Sequence, residues 1–148
     1  MKRLLFAVLA VWALATAQPG YSAELPTTKL TIGKHTLTAE LAVSYEEQRT
    51  GLMNRFSLKP DHGMLFIYAQ PQPLAFYMRN TFVALSIAFI GADGRIVDIQ
   101  DMQPQTEDTH WSRVPAQFAL EMKKGWFAER GIVAGDTVKG LPAASAKR

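Results

Sequence analysis

The sequence predicts a mainly β protein, folded as an antiparallel β-sandwich or a partly open barrel of about eight strands. Three observations predict this class. Short apolar runs, some of them alternating with polar residues, recur along the chain, and turn-forming residues separate them at close spacing. Only one segment carries the signals of a true helix, so the strand–helix alternation of a parallel α/β sheet is not expected.

The first two strands are predicted to form a hairpin. Residues 28–32 and 35–43 flank Gly33 and Lys34, which lie where a tight turn is needed. In the second run, apolar residues alternate with threonine and glutamate. Successive side chains of a strand point to opposite faces, so this hairpin is expected to bury one face.

A short helix is predicted next, over residues 44–54. Ser44 and Glu47 have the spacing of a capping box, in which each side chain binds the backbone N–H of the other residue. Glu46 and Glu47 also place negative charge in the first turn, where the helix dipole favours it.

Arg49 falls in the middle of the apolar side of this helix, at about 100° per residue. An unpaired buried guanidinium is unfavourable, so Arg49 is expected to meet an anion. Glu121 is the candidate partner within the chain, because strand alternation places it on the same face as Ala119 and opposite its apolar neighbours. Two interpretations are open: a structural Arg49–Glu121 pair, or a pocket that receives an anionic or hydroxyl group of a ligand.

The remaining elements are also short. Five further segments are predicted to be strands, and they are residues 63–68, 74–80, 84–90, 95–100 and 116–122. Asp93 and Gly94 give a hairpin signal between the third and fourth of these segments. A helical turn is predicted over residues 125–130, and a last strand follows Gly135 and Asp136.

The first 23 residues have the layout of a secretory signal peptide. Lys2 and Arg3 precede an apolar run that is followed by small residues, with cleavage expected after Ala17 or Ala23. The run is shorter than the roughly 20 apolar residues of a membrane-spanning helix. We therefore expect an exported protein, periplasmic or extracellular, which would contact a membrane only through an uncleaved leader.

The expected mature chain is one β-rich domain over residues 24–139, followed by a flexible tail over residues 140–148. Loss of the leader removes two of the 16 Lys and Arg residues and none of the 13 Asp and Glu residues, which leaves 14 against 13. A nearly neutral domain without a basic cluster does not suit nucleic-acid binding. The chain has no cysteine, so disulfides, thiol catalysis and thiolate metal sites are excluded.

An apolar stretch over residues 76–90 is interrupted by Arg79, Asn80 and Thr81. Alternation places Asn80 on the core side of a strand that breaks there, where its side chain could satisfy loose backbone groups. The alternative is functional: Arg79 beside Tyr77 presents a planar donor fork and an aromatic face, which suit an anionic or sugar-like ligand.

The motif strings RTGLMNRFSLKPDHGMLFIY and FYMRNTFVALSIAFIGADGRIVDI resemble the family called domain of unknown function 192, over roughly residues 37–138. The resemblance implies a β-rich, sandwich-like fold and no settled activity. The chain departs from the family pattern at Tyr77, Ala84 and Ser86. Where the family usually has an aspartate, Ser86 cannot act as a general base or hold a hard cation in the same way. The matching positions are Arg49, Gly51, Leu52, Met53, Arg55, Gly63, Met64, Leu65, Phe66, Phe76, Met78, Asn80, Thr81, Pro104, Glu121, Gly125, Gly131, Gly135 and Asp136.

These observations favour a binding module for a small anionic or sugar-like ligand or for an envelope protein, without a cofactor or metal and without a complete catalytic signature. The candidate residues are Arg49, Tyr77, Arg79, Asn80 and Glu121.

Two other functions stay open. One is a hydrolase acting on envelope carbohydrate, in which Glu121 is the acid or base and Asp101 or Asp136 its partner. The other is copper binding by thioethers, although methionines more often fill gaps in a core. The methionines concerned are Met53, Met64, Met78, Met102 and Met122.

Overall fold

The computed structural model describes residues 24–143, so the predicted leader and the last five residues of the predicted tail lie outside the described residues. The described part has one α-helix, one 3-10 turn and nine strands. The helix α1 is Tyr45–Thr50 and the 3-10 turn is Ala128–Arg130. The strands are β1 (Thr27–Ile32), β2 (His35–Ala42), β3 (His62–Gln72), β4 (Ala75–Phe76), β5 (Leu85–Ile90), β6 (Ile96–Met102), β7 (His110–Trp111), β8 (Ala116–Lys123) and β9 (Val138–Lys139).

Seven strands form one curled sheet in the order β6-β5-β8-β3-β2-β1-β9, and β4 and β7 form a separate small sheet. The two edges of the large sheet approach each other, because the Ile96 N–H donates to the Asp136 carbonyl at 2.9 Å and the Val138 N–H donates to the Gly94 carbonyl at 2.8 Å. The result is a half-barrel. The predicted mainly β class, in its partly open barrel form, is confirmed.

One strand pair differs from the antiparallel prediction. β2 and β3 run parallel, with Thr38 opposite His62 and Ala42 opposite Phe66. Parallel neighbours require a crossover connection of about a dozen residues or more, usually with a helix. The segment that contains α1 is this crossover, and it carries the helix across one face of the sheet.

Apolar residues cover both faces of the sheet. One cluster includes Leu120 and Phe127, and the partly buried Leu141 packs against it. The second cluster includes Ala119, Phe66 and Phe76. Since Leu120 and Ala119 are neighbours in β8, this central strand contributes side chains to both clusters.

Two predicted elements are shorter than expected. The helix ends at Thr50, where the N–H of Gly51 bonds to the Glu47 carbonyl at 2.8 Å and Gly51 takes a φ of 48°. Of the predicted strand 74–80, only Ala75–Phe76 pairs with another strand. A φ of 53° at Asn80 then reverses the alternation, so Asn80 is exposed, not on the core side as predicted, and Thr81 is buried.

The predicted capping box is present and should stabilise α1. The Glu47 N–H donates to Ser44 Oγ at 3.2 Å, and the Ser44 N–H donates to Glu47 Oε2 at 2.8 Å. The backbone N–H groups of Ser44 and Val43 both donate to the Glu47 carboxylate, and these bonds, first the one from Ser44, lower the pKa of Glu47. We expect Ser44→Ala to lower the free energy of unfolding by about 1 kcal/mol in denaturant titrations.

Ser57→Ala is the matched control, because Ser57 is an exposed serine outside the helix. Its substitution should change the free energy of unfolding by less than about 0.5 kcal/mol. Equal effects of the two substitutions would mean that the cap contributes nothing.

Candidate functional site

A cavity of about 330 Å³ opens between α1 and the face of the sheet that carries the second apolar cluster. Its size lies at the lower end of the range of about 300–1,000 Å³ typical of small-molecule sites. Four parts of the chain line it: α1 with the turn that follows, β3, the segment around β4, and β8. The cavity therefore exists only because distant segments pack together.

Glu121 forms the polar floor of this cavity. It lies opposite Met64 of β3 and Ile87 of β5 and is only 4% exposed. Within the described chain, the carboxylate has no hydrogen-bond or ionic partner, and burial alone raises its pKa to about 8. Every fully buried side-chain nitrogen or oxygen of the described residues does have a partner. The carboxylate of Glu121 must therefore open onto the cavity.

Tyr68 is a titratable neighbour of Glu121 that the sequence analysis did not single out. It lies on β3 and lines the same cavity. Burial, and secondarily the charge of Glu121, raise the pKa of Tyr68 to about 12. At neutral pH the phenol is thus uncharged, and the Glu121 carboxyl is mainly protonated. The floor of the cavity offers neutral hydrogen-bond donors and acceptors to a ligand.

Arg49 lies at the mouth of the cavity and is exposed. Of the two interpretations of Arg49, the structure does not form the buried ion pair with Glu121, since the salt bridges among the described residues do not include Arg49. The physical reason is that α1 is short. It ends at Thr50, one residue after Arg49, and none of its side chains is buried in the core. The guanidinium therefore remains free to meet a ligand.

Of the other three predicted site residues, one lines the cavity and two do not. Tyr77 lines the cavity, whereas Arg79 and Asn80 lie in the loop beside it. The Arg79 Nε donates to Glu107 at 2.9 Å, and its guanidinium lies 5.4 Å from the centre of the Tyr77 ring. Asn80 has a structural role in the loop, since its backbone carbonyl accepts a hydrogen bond from the Asn54 N–H at 2.8 Å. The structure thus brings Arg49, Tyr77 and Glu121 to one cavity.

Sequence reasoning missed five polar residues of this cavity, namely Tyr45, Gln48, Thr50, Tyr68 and Thr81. Tyr68 follows Met64 and Phe66 at a spacing of two, which is the signal that could have placed it on the face of Glu121. For Thr81, the reversed backbone at Asn80 removed any such signal.

The family model of domain of unknown function 192 (DUF192), described as an uncharacterized ACR, matches residues 28–140. The chain belongs to this family. The resemblance noted from the sequence motifs is confirmed, and it carries a fold but no assigned activity.

Two solved structures are similar to this DUF192 chain. One is a protein from Sinorhizobium meliloti, named provisionally as a transcription regulator, with 34% identity and a TM-score of 0.77, covering 79% of this chain and 95% of that one. The other is a protein of unknown function from Novosphingobium aromaticivorans, with 33% identity and a TM-score of 0.75, covering 90% and 93%. A comparison with curated proteins found no match.

A second cavity of about 790 Å³ lies on the other side of α1 in this DUF192 domain. Its lining is rich in glutamate, but Arg55 pairs with Glu40 through two hydrogen bonds and Glu47 caps the helix. In the described range 24–143, no group of three or more His, Asp or Glu side chains could hold a metal ion. The cavity over Glu121 is therefore the better candidate site.

Ser86 has a clear structural role at its position in the DUF192 motif. Its hydroxyl donates to Asp101 at 2.6 Å and accepts the N–H of Gly125 at 2.9 Å. Ser86 precedes Ile87, which shares a face with Glu121, so Ser86 and Asp101 lie on the opposite face of the sheet. Asp101 thus does not reach the Glu121 cavity.

The methionines occupy both apolar clusters. Met64, Met78 and Met102 belong to the second cluster and Met122 to the first, and all four are fully buried. Only Met53 lines the cavity over Glu121. This distribution favours core packing over a thioether metal site.

None of the helices within residues 24–143 is long and apolar enough to span a membrane.

Proposed function

We propose that this chain is an exported binding module whose Glu121 cavity receives a small sugar-like ligand that carries an anionic group. The observation that supports this most is that, among residues 24–143, the buried carboxyl of Glu121 at the floor of the cavity and the Arg49 guanidinium at its mouth both lack a partner. Such convergent polar groups in an otherwise apolar pocket are typical of small-molecule sites.

Each end of the cavity suits a different part of such a ligand. The planar guanidinium of Arg49 can bind a carboxylate or phosphate through two parallel hydrogen bonds. The exposed rings of Tyr45 and Tyr77 offer faces on which a sugar ring can stack. Glu121 and Tyr68 then offer donors and acceptors to hydroxyl groups deeper in the cavity.

The geometry does not favour the hydrolase alternative. Glycoside hydrolysis usually needs two carboxyl groups across the scissile bond. Glu121 is the only acid that lines the cavity within the described chain. Asp101 lies on the opposite face of the sheet, and the Asp136 carboxylate accepts the N–H of Val133 at 2.9 Å.

Thermal unfolding in the presence of ligands tests the proposal. The panel is glucose, glucuronic acid, glucose 6-phosphate and inorganic phosphate. A ligand at about 100 times its dissociation constant adds about 2.7 kcal/mol to the free energy of unfolding, which raises the midpoint by several degrees. We expect the anionic sugars to raise the midpoint and Arg49→Ala to abolish at least most of this rise.

Arg79→Ala is the matched control, because Arg79 is also an exposed arginine but does not line the cavity. Both substitutions should leave the midpoint of the free protein nearly unchanged, since surface changes have small effects. A ligand shift that survives Arg49→Ala and disappears in Arg79→Ala would place binding at the loop of Arg79. No shift with any anionic sugar would refute the proposed function.

A further inference from the structure

The charges that line the cavity are few and separated. Within the described chain, the lining includes one acid, Glu121, and one base, Arg49. Arg49 is exposed at the mouth, whereas Glu121 is buried on β8, and the two are not paired. The cavity therefore presents a cation at its entrance and an acid at its floor, and neither is neutralised by the other.

A buried acid without a partner is unfavourable when it is ionised. In the free protein, the carboxyl of Glu121 avoids this cost by keeping its proton, because burial raises its pKa to about 8. A positively charged ligand group would make the ionised form favourable instead. Hydrogen bonds between an ammonium group and a carboxylate are about twice as strong as those between neutral groups.

Arg49 at the mouth repels a lone cation, so the ammonium group is expected to enter together with an anionic group that neutralises Arg49. Other parts of the lining attract an ammonium group. Tyr45 and Tyr77 present aromatic rings at the mouth, and ring faces attract ammonium groups. At the floor, the neighbours of Glu121 in the sheet are Met64 and Ile87, which cannot compete for its hydrogen bonds. Besides Glu121, the charged and titratable groups that line the cavity are Arg49 and Tyr45 from α1, Tyr68 from β3, and Tyr77 next to β4.

We propose that the ligand is an amino sugar or a related zwitterion, whose primary ammonium group binds Glu121 while its anionic group binds Arg49. This inference rests on the proposed function and specifies the ligand class. The ammonium group supplies three donors, and the carboxylate of Glu121 accepts them. A hydroxyl group at the same place of the ligand would bind the neutral carboxyl more weakly.

Binding of an ammonium group releases a proton from the protein, whereas binding of a hydroxyl group does not. The ligand enters as the ammonium ion and stays protonated. The O–H bond of the Glu121 carboxyl breaks, and its proton passes to the solvent. Below the pKa of the free carboxyl, up to one proton is thus released for each ligand that binds.

Isothermal titration calorimetry measures this release directly. Titrations near pH 6.5 in PIPES and in imidazole, which have different ionisation enthalpies, give the number of protons from the difference in heat, and neither buffer contains the phosphate that could bind Arg49. The probes are glucose, glucosamine, glucuronic acid and muramic acid, which combine the presence and absence of an amino group with the presence and absence of a carboxylate. We expect muramic acid to bind most tightly and both aminated sugars to release close to one proton.

The pH dependence and a variant supply two further checks. The affinity for muramic acid should rise up to about tenfold per pH unit between pH 5 and pH 7, whereas the affinity for glucuronic acid should not. Glu121→Gln removes the ionisable group with little change of shape. It should abolish proton release and the preference for aminated sugars while glucuronic acid still binds through Arg49.

The outcomes separate the two proposals. If glucuronic acid and muramic acid bind equally and without proton release, the amino-sugar inference is overturned and the anionic sugar site stands. If neither binds the wild-type protein, both proposals fail. Proton release is measured on the wild-type protein, so the result does not depend on whether the variant folds.

Discussion

Gly63→Ala is expected to lower the free energy of unfolding by about 3 kcal/mol or more, or to prevent folding. Gly63 lies in β3 between Ala39 of β2 and Met122 of β8. A Cβ atom at this position would lie 2.2 Å from the carbonyl oxygen of Glu121 and 2.3 Å from the sulfur of Met122. The first obstacle is backbone, which cannot move without separating β3 from β8.

Chemical denaturation and thermal unfolding give the size of this effect, and Gly131→Ala is the control. Gly131 has a positive φ of 66°, but a Cβ there would meet no atom within 4 Å. Its substitution should cost only about 1 kcal/mol of backbone strain. Similar losses for both substitutions would show that close packing at Gly63 is not the reason for its glycine.

Glu121→Gln is expected to remove a pH dependence of stability. The pKa of Glu121 is about 8 in the folded protein, against 4.5 for an unperturbed glutamate. Between these values the folded protein holds a proton that the unfolded chain has lost. The stability of the wild-type protein should therefore fall as pH rises from 4.5 to 8, by up to about 1.4 kcal/mol per pH unit, and level off above 8.

The measurement is the free energy of unfolding at intervals between pH 4 and pH 9 for the wild type and for Glu121→Gln. The difference in the free energy of unfolding between the variant and the wild type should grow in favour of the variant between pH 4.5 and pH 8, by about 5 kcal/mol in total. Glu129→Gln, at an exposed glutamate, serves as control and should follow the wild type. Parallel curves for the wild type and Glu121→Gln would mean that Glu121 is ionised in the folded protein at neutral pH.

Much of the fold could be predicted because its signals are local. The capping box needs only Ser44 and Glu47, three positions apart, and the first hairpin needs only the turn at Gly33. The side of β8 on which Glu121 lies also follows from alternation within one strand. The positions of Asn80 and Thr81 were less predictable, because a positive φ at Asn80 ends the strand alternation at that residue.

Local patterns in the sequence were sufficient to predict the mainly β class, the cap of α1 and the placement of Glu121 on the same face of β8 as Ala119. The parallel pairing of β2 with β3, and the crossover that carries α1 over the sheet, became visible in the folded chain. That crossover leaves Arg49 at the mouth of a cavity and the carboxyl of Glu121 without a partner at its floor. The reason is physical: periodicity fixes which side of an element a residue faces, whereas pairing of charges depends on the register and packing of segments far apart in the chain.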